Sequence, residues 1–520
     1  MTFNFLAGRL NLSEDLLATT PRMNRLLGTI PTIQPGQHLS IAGETNLQTG
    51  LVLDGGQFST GSLTGSTSLL DFRSGTLALT GDDLSIDSGG LLGSHLHLDA
   101  DRGVHVTDTI VVAGSGELAV TGGEVQANVL DNAGTLWLDG GVASRVSGST
   151  LVNTGMVRGH GRISMALDNR TGGQIRVAAG DTLTFAGSGH TNSGRIELLG
   201  GTVEVAEGGT FENDPEGLIA GHGAVLMPWL FNEGQMSFSG PTDVHGELIN
   251  ATGDPDVGIA IGGDAGATFW ADVHNASGLF RVAANSSATF FGAFAGSGIS
   301  GPGDVYFEAG MTPGTSPGVA SFGGNVHLGT HADLEIEIAG VDRGTQHDAL
   351  DVAGLLSVAG RLNVVLLDDF QPQLGDRFDV LSFSAVEGEF SQLTLPPLDE
   401  GLAWGDHLLT TGELTVVADH LLGDMNIDGA VDTADVAPFV QALTDPDGYM
   451  VQFGVDEATM IALGDINQDG AFDTADVAPF VQLLVSGGST SVPEPGSLAL
   501  LGLGGLLLLR RRGPRGARFW

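Results

Sequence analysis

Cysteine is absent and so is lysine: all 20 basic residues among the 520 are arginine. The first absence excludes a disulfide framework and any cysteine metal site, so packing, hydrogen bonds and bound ions must hold the chain together. The second removes the ammonium group that a GxxxxGK[ST] phosphate loop, a pyridoxal Schiff base and the strand lysine of kinases require. Aromatic residues make up only 6%, and 62 Asp and Glu bring the formal net charge to −42. Nucleic acid is therefore not the expected partner, because phosphate binding draws on clustered Lys and Arg. Calcium and water suit such a surface better. Glycine is plentiful, at 82 residues. A chain of this length and composition points to one long repetitive body carrying smaller modules.

From about Leu39 to Gly301, short β-type runs are separated by glycine and asparagine, and an Asn-x-Gly or Asn-x-x-Gly turn recurs. Asn132, Asn153, Asn169, Asn192, Asn213, Asn232, Asn250 and Asn275 start or nearly start one, at intervals of 16 to 25 residues that average about 20. That period is one turn of a β-solenoid, whose coils cannot bury their apolar side alone. Asparagine suits a corner because it tolerates left-handed backbone and bonds to its own turn. Between corners, Ile196 and Leu198 alternate with Glu197, and Val203 and Val205 with Glu204, which sends one set inward. Roughly 13 coils at the ~4.8 Å strand spacing give a rod about 60 Å long. The expected fold class is mainly β, a right-handed parallel β-helix over 39–301; a β-sandwich with regular hairpins is the competing arrangement.

Residues 302–419 carry longer strands such as ADLEIEIAG, RLNVVLLDDF and DRFDVLSFSAV. They are expected to form a β-rich cap or the last, wider coils, since an open solenoid end must be covered. TPGTSPG, the strands after it, GDRFDVL and GEFSQLTLP resemble the distal passenger segments of autotransporter-like surface proteins, over about 115 residues.

Near the C-terminus, GDMNIDGAVDTADVAPFVQAL (423–443) returns 41 residues later as GDINQDGAFDTADVAPFVQLL, identical at 17 of 21 positions. Counting from Asp424, oxygen donors fall at position 1 (Asp424), 3 (Asn426), 5 (Asp428), 7 (the Ala430 carbonyl), 9 (Asp432) and 12 (Asp435), with Gly429 at position 6. The second copy supplies Asp465, Asn467, Asp469, Ala471, Asp473 and Asp476 around Gly470. Alternate side chains converge because the glycine permits a sharp turn, and hard oxygen donors select Ca²⁺. Between Leu421 and Thr490 stand 12 acidic residues and no arginine, so a cation relieves repulsion that otherwise opposes folding. An acidic solvated linker is the bland alternative.

Aspartate at position 12, in place of the EF-hand glutamate, is a feature of dockerin type I repeats, and residues 420–490 resemble a dockerin domain of two loop-helix repeats. The resemblance implies two calcium ions and a cohesin-like partner chosen in part by Thr433, Ala434, Thr474 and Ala475. Two features depart from the family: the longer spacing between repeats, and Pro438 and Pro479 in the helices. Such prolines are tolerable only in a first turn.

The chain closes on VPEPGSLALLGLGGLLLLRRRGPRGARFW. Its apolar run, 496–509, would be about 21 Å long as a helix, short of the ~30 Å hydrocarbon core. Arg510, Arg511 and Arg512 follow in a stop-transfer pattern. Pro493, Glu494 and Pro495, then the apolar helix, then the arginines resemble the PEP-CTERM sorting signal. That implies transient membrane insertion over 491–520 and processing by an exosortase on the way to the cell surface; a plain anchor is the alternative. Residues 1–38 contain no uninterrupted apolar segment of the signal-peptide kind, so the export signal is expected upstream of Met1.

Catalysis is the rival function, as a polysaccharide lyase or glycoside hydrolase on a β-helix scaffold. Such sites need clustered carboxylates, or an Arg base beside calcium. The arginines of the first 300 residues are scattered, and no acidic pair repeats at the coil period. GTSPG at 314–318 places Pro317 directly after the serine, which suits a turn better than a nucleophile elbow. His95, His97 and Asp99 share a strand face that reads as solvated rather than metal-binding. The expectation is a non-catalytic cell-surface or extracellular-matrix protein of structural or adhesive role, with extracellular polysaccharide as a further partner.

Overall fold

The computed structural model describes residues 7–12, 16–17, 30–314, 316–399, 402–418 and 421–486. The sorting tail expected over 491–520, with Pro493, Glu494, Pro495, Arg510, Arg511 and Arg512, lies outside the described residues, as does most of 1–38. The chain forms two units, one of 1–370, 377–396 and 407–414, the other of 371–376, 397–406 and 415–520.

The first unit is a β-solenoid of roughly 14 turns, in which 36 strands join one ladder. Strands pair in parallel with their counterparts one coil away: Ile196 with Ile219, Ile219 with Met236, and Met236 with Ile259. A typical coil contributes three strands. In one, Ile196, Val203 and Phe211 point inward with no exposed surface, as do Leu198 and Asn213. The alternation of Ile196 and Leu198 with Glu197 therefore works as the sequence predicts. Stacking begins before residue 39, with Gly8–Leu12 in register with residues 37–41. It also continues past 301: Asp304–Phe307 pairs with Asn325–Leu328, and Asp333–Ile338 with Arg361–Leu366.

The recurrent asparagines do not act as left-handed corner residues. Positive φ is recorded at none of the eight; all but Asn275, the middle residue of Val273–Ser277, lie at or next to the end of a strand, and all eight side chains are buried at 0–1% exposure. Their side chains form a continuous ladder. Each Nδ2 donates to the Oδ1 one coil further on, at 2.6–2.8 Å, from Asn132 through Asn153, Asn169, Asn192, Asn213, Asn232 and Asn250 to Asn275. The last amide donates to the Gly298 carbonyl at 2.9 Å, and the Oδ1 of Asn132 is buried without a partner. Left-handed turning is done by glycine instead. At Gly159 φ is +102° and a β-carbon would run into the Leu138 carbonyl, so no other residue fits that corner.

Toward the C-terminal coils, aromatic stacking runs alongside and beyond the ladder: Phe269, Phe290 and Phe307 stack at 4.9 and 5.2 Å. There too a carboxylate is fully buried. Asp348 accepts from the Gly318 amide at 2.6 Å and the Glu337 amide at 3.0 Å, tying two segments together. Burial lifts its pKa to about 6, against the pull of those two amides, with the nearby Glu337 and Glu335 charges adding to the rise.

Two outcomes follow from these buried polar groups. Asn213→Ala strands one donor and one acceptor inside the core and is expected to cost about 3 kcal/mol. Asn132→Ala breaks one rung and removes an acceptor already unpaired, so its cost is about 1 kcal/mol; equal losses in denaturant melts of the two variants would contradict the ladder. For Asp348 the folded pKa exceeds the unfolded value of 3.8, so its stabilising contribution is complete below about pH 3.8 and is lost as pH rises through about 6. The loss is about 3 kcal/mol for a shift of about two units. Hydrogen-exchange protection of strand Ala349–Val358, corrected for intrinsic rate, should therefore fall between pH 4 and 7, and Asp348→Asn should lack that step.

Candidate metal loops

The second unit holds the duplicated loops. Four helices lie between and after them: Val436–Thr444, Pro446–Phe453, Glu457–Gly464 and Val477–Val485. The first and last belong to the repeats, and Pro438 and Pro479 each occupy the third helical position, within the first turn, where no intrahelical amide bond is lost. The middle two fill the long inter-repeat spacing. They begin at Asp445 and Asp456, whose side chains accept from the Gly448 and Thr459 amides. The core is Met425, Phe439, Ala442, Tyr449, Met460, Leu463 and Phe480. Phe439 and Phe480, equivalent residues of the two copies, stack at 4.0 Å with an interplanar angle of 2°.

The two loops share one bonding pattern. In the first, the Asp424 carboxylate accepts from the amides of Asp428 (3.1 Å) and Gly429 (2.8 Å), and Asp435 accepts from Asn426 (2.9 Å) and Asp432 (2.8 Å). In the second, Asp465 accepts from Asp469 and Gly470, and Asp476 from Asn467 and Asp473, at 2.9–3.1 Å. Gly429 and Gly470 have φ of +83° and +88°, which is the sharp turn expected at position 6. Asn426 donates to Asp428, and Asn467 to Asp469. Asp432 and Asp473 cap the following turn by accepting from Ala434 and Ala475. Thr433, Ala434, Thr474 and Ala475 are solvent-exposed at the helix starts, and Ala430 and Ala471 lie on the exposed rim.

Charge is concentrated here, and the sequence from 421 to 490 contains no arginine. Asp424, Asp435 and Asp476 are 3%, 0% and 0% exposed. Burial lifts the Asp435 pKa, and the Asp424 and Asp428 charges add to the rise while its two amide donors oppose it. Among the described residues no group of three or more His, Asp or Glu side chains is drawn together as a metal-holding set; the carboxylates are bonded to loop amides. The donor set, four carboxylates, one amide oxygen and one backbone carbonyl per loop, nevertheless has the hard-oxygen chemistry that a calcium-class ion takes.

Two supports escaped the sequence reading. Tyr449 is fully buried and its hydroxyl donates to the Met425 carbonyl at 2.9 Å, bracing the first loop; burial and the Asp424 and Asp435 charges push its pKa up to about 12. The Gly423 amide donates to the Leu463 carbonyl at 2.8 Å. A lone tyrosine between the copies gives no periodic signal, but Asp-Pro at 445–446 and Asp-Glu at 456–457 are helix-start signals that mark the two extra helices.

The other candidates do not assemble into a site. His95 bonds to the Ser94 hydroxyl and His97 to that of Thr121 at 2.6 Å, on an exposed face. The Ser316 hydroxyl donates to Glu337 in a turn, with no helix after it.

Residues 491–512 match the PEP-CTERM protein-sorting motif. Over 218 residues, 40% of its length, the chain is 27% identical to the adhesin BmaC autotransporter of Brucella suis biovar 1 (strain 1330), a match that spans 6% of that protein. Among the described residues no helix is long and apolar enough to cross a membrane.

Proposed function

We propose that this is an exported, non-catalytic cell-surface protein of structural or adhesive role, whose solenoid is a rigid stalk and whose C-terminal segment is a sorting signal processed by an exosortase. The observation that carries this reading is the sorting motif at 491–512 on a chain whose body is a parallel solenoid. The similarity to an autotransporter adhesin supports the same class. In this reading the solenoid is right-handed, the hand that parallel crossovers favour, and the apolar run of the tail inserts transiently in the membrane.

The helical unit acts as a dockerin-like module holding two Ca²⁺. Asp424, Asn426, Asp428, Asp432, Asp435 and the Ala430 carbonyl serve one ion, and Asp465, Asn467, Asp469, Asp473, Asp476 and the Ala471 carbonyl the other. The ions supply charge neutralisation for buried carboxylates, which makes folding of this unit calcium-linked. Exposed Thr433, Ala434, Thr474 and Ala475 are then placed to meet a cohesin-like partner.

Two measurements test these roles. Removing 491–520 should abolish surface labelling in the producing cell without reducing synthesis; unchanged labelling would remove the sorting role. Calorimetry should find two calcium ions per chain with Kd of ~10⁻⁴ M or tighter. Asp424→Ala and Asp465→Ala should each delete one, and uptake of fewer than two ions by the unmodified chain would defeat the calcium assignment.

A further inference from the structure

One belt of the rod is locally basic. Between residues 141 and 196 stand six arginines (Arg145, Arg158, Arg162, Arg170, Arg176 and Arg195) against two acidic residues, Asp168 and Asp181, in a chain of net charge −42. Four of the six are already matched. Arg170 pairs with Asp168 at 2.8 Å, Arg176 and Arg195 share Glu197 at 2.6 and 3.3 Å, and Arg158 approaches Glu117 at 3.8 Å while lying over the Trp137 ring.

Arg145 and Arg162 are different. They are in-register partners on adjacent coils, both are exposed, and among the described residues neither meets a carboxylate within ion-pair distance. Like charges directly opposite one another on neighbouring strands repel. Of the carboxylates that bracket them along the column, Glu124, in register with Arg145, stands 3.6 Å from His105 without a hydrogen bond to it, and Glu204, two coils beyond Arg162, accepts from the Thr184 hydroxyl at 2.7 Å. Two residues further along the same face, Ser147 and Ser164 form an in-register hydroxyl pair. A polar cavity of about 340 Å³ is lined by Arg145 of the pair together with Arg102, Gly103, Gly123, Asp101 and Glu124.

We infer that Arg145 and Arg162 bind carboxylates of an acidic polysaccharide laid along the coil axis, with the serine hydroxyls beside them meeting sugar hydroxyls. The inference rests on the surface role proposed above. One guanidinium per coil suits a polymer with a carboxylate on each sugar, because planar guanidinium forks match carboxylates. Nucleic acid fits less well, since its denser phosphates need a broad basic face, and the surrounding rod is acidic.

The test is a titration of the full chain, in mild detergent, with polygalacturonate, neutral dextran and duplex DNA at low and high salt. The expected result is salt-sensitive binding of polygalacturonate, none of dextran, and much weaker binding of DNA. Arg145→Gln with Arg162→Gln should lower affinity at least about tenfold and leave the melting temperature unchanged or slightly raised. The control Arg73→Gln with Arg170→Gln removes arginines already paired with their own aspartates and should change nothing. Arg145→Lys with Arg162→Lys, which keeps the charge but loses the planar fork, should bind more weakly than the unmodified chain and more tightly than the Gln pair. Undiminished binding by the Gln pair, equal binding of DNA, or no binding of polygalacturonate overturns the inference. Surface labelling is read independently, so a displayed chain that ignores polygalacturonate removes this site and leaves the surface role standing.

Discussion

A buried amide oxygen that is met by the same amide one coil away ties the register of the strands around it. In a parallel stack, a slip of one residue turns the whole apolar set outward. Apolar contacts alone oppose such a slip only through lost burial. The asparagine row adds a penalty at each rung, because a displaced Asn213 would leave Asn192 and Asn232 with unpaired polar atoms inside the core. The ladder therefore works as a registration device as much as a source of stability.

With register held at this column, differences in coil length must be absorbed elsewhere. Successive asparagines are 16 residues apart at Asn153 to Asn169 and 25 at Asn250 to Asn275, yet the rungs keep the same length. The extra residues go into corners. Between the strands of 135–153 and 156–169 the register jumps at Asp139/Gly141, Gly141/Arg145 and Ser147/Thr150, and Gly148 there, at φ +151° with the Ala127 carbonyl where a β-carbon would stand, is a position only glycine fits. In-register stacking also brings outward-facing residues into columns, so a chance pair such as Arg145 and Arg162 becomes a fixed local field.

Much of this was legible in the sequence, and where it was not the reasons are physical. The 20-residue period revealed the solenoid because repeating coils repeat their corners, and the alternation around Glu197 and Glu204 revealed which side faces in. The role of asparagine was misassigned: local turn chemistry and a buried inter-coil ladder ask for the same residue at the same spacing, and only three-dimensional stacking separates them. Beyond residue 301 the sequence left a cap and further coils both open, since the Asn-x-Gly signal stops at Asn275 and the stacking there passes to Phe290 and Phe307, which carry no turn signature. In the loops, Gly429, Gly470 and the aspartates were readable from spacing. Tyr449 was not, because its partner is the backbone carbonyl of Met425, which any residue could provide.

The two units solve one problem in different ways. In the solenoid, the buried asparagines are met by one another and by backbone except at the first oxygen of the row, and a row of neutral amides carries no charge to repel. In the helical unit, buried carboxylates are met by amides of their own loop: Asn426 and Asp432 on Asp435, Asn467 and Asp473 on Asp476. Those bonds shape the loop but cancel no charge, and between Leu421 and Thr490 no arginine is present to do so. Hydrogen bonding and neutralisation are thus separable in this unit. The chain supplies the first itself, and the second is what the proposed calcium ions would add.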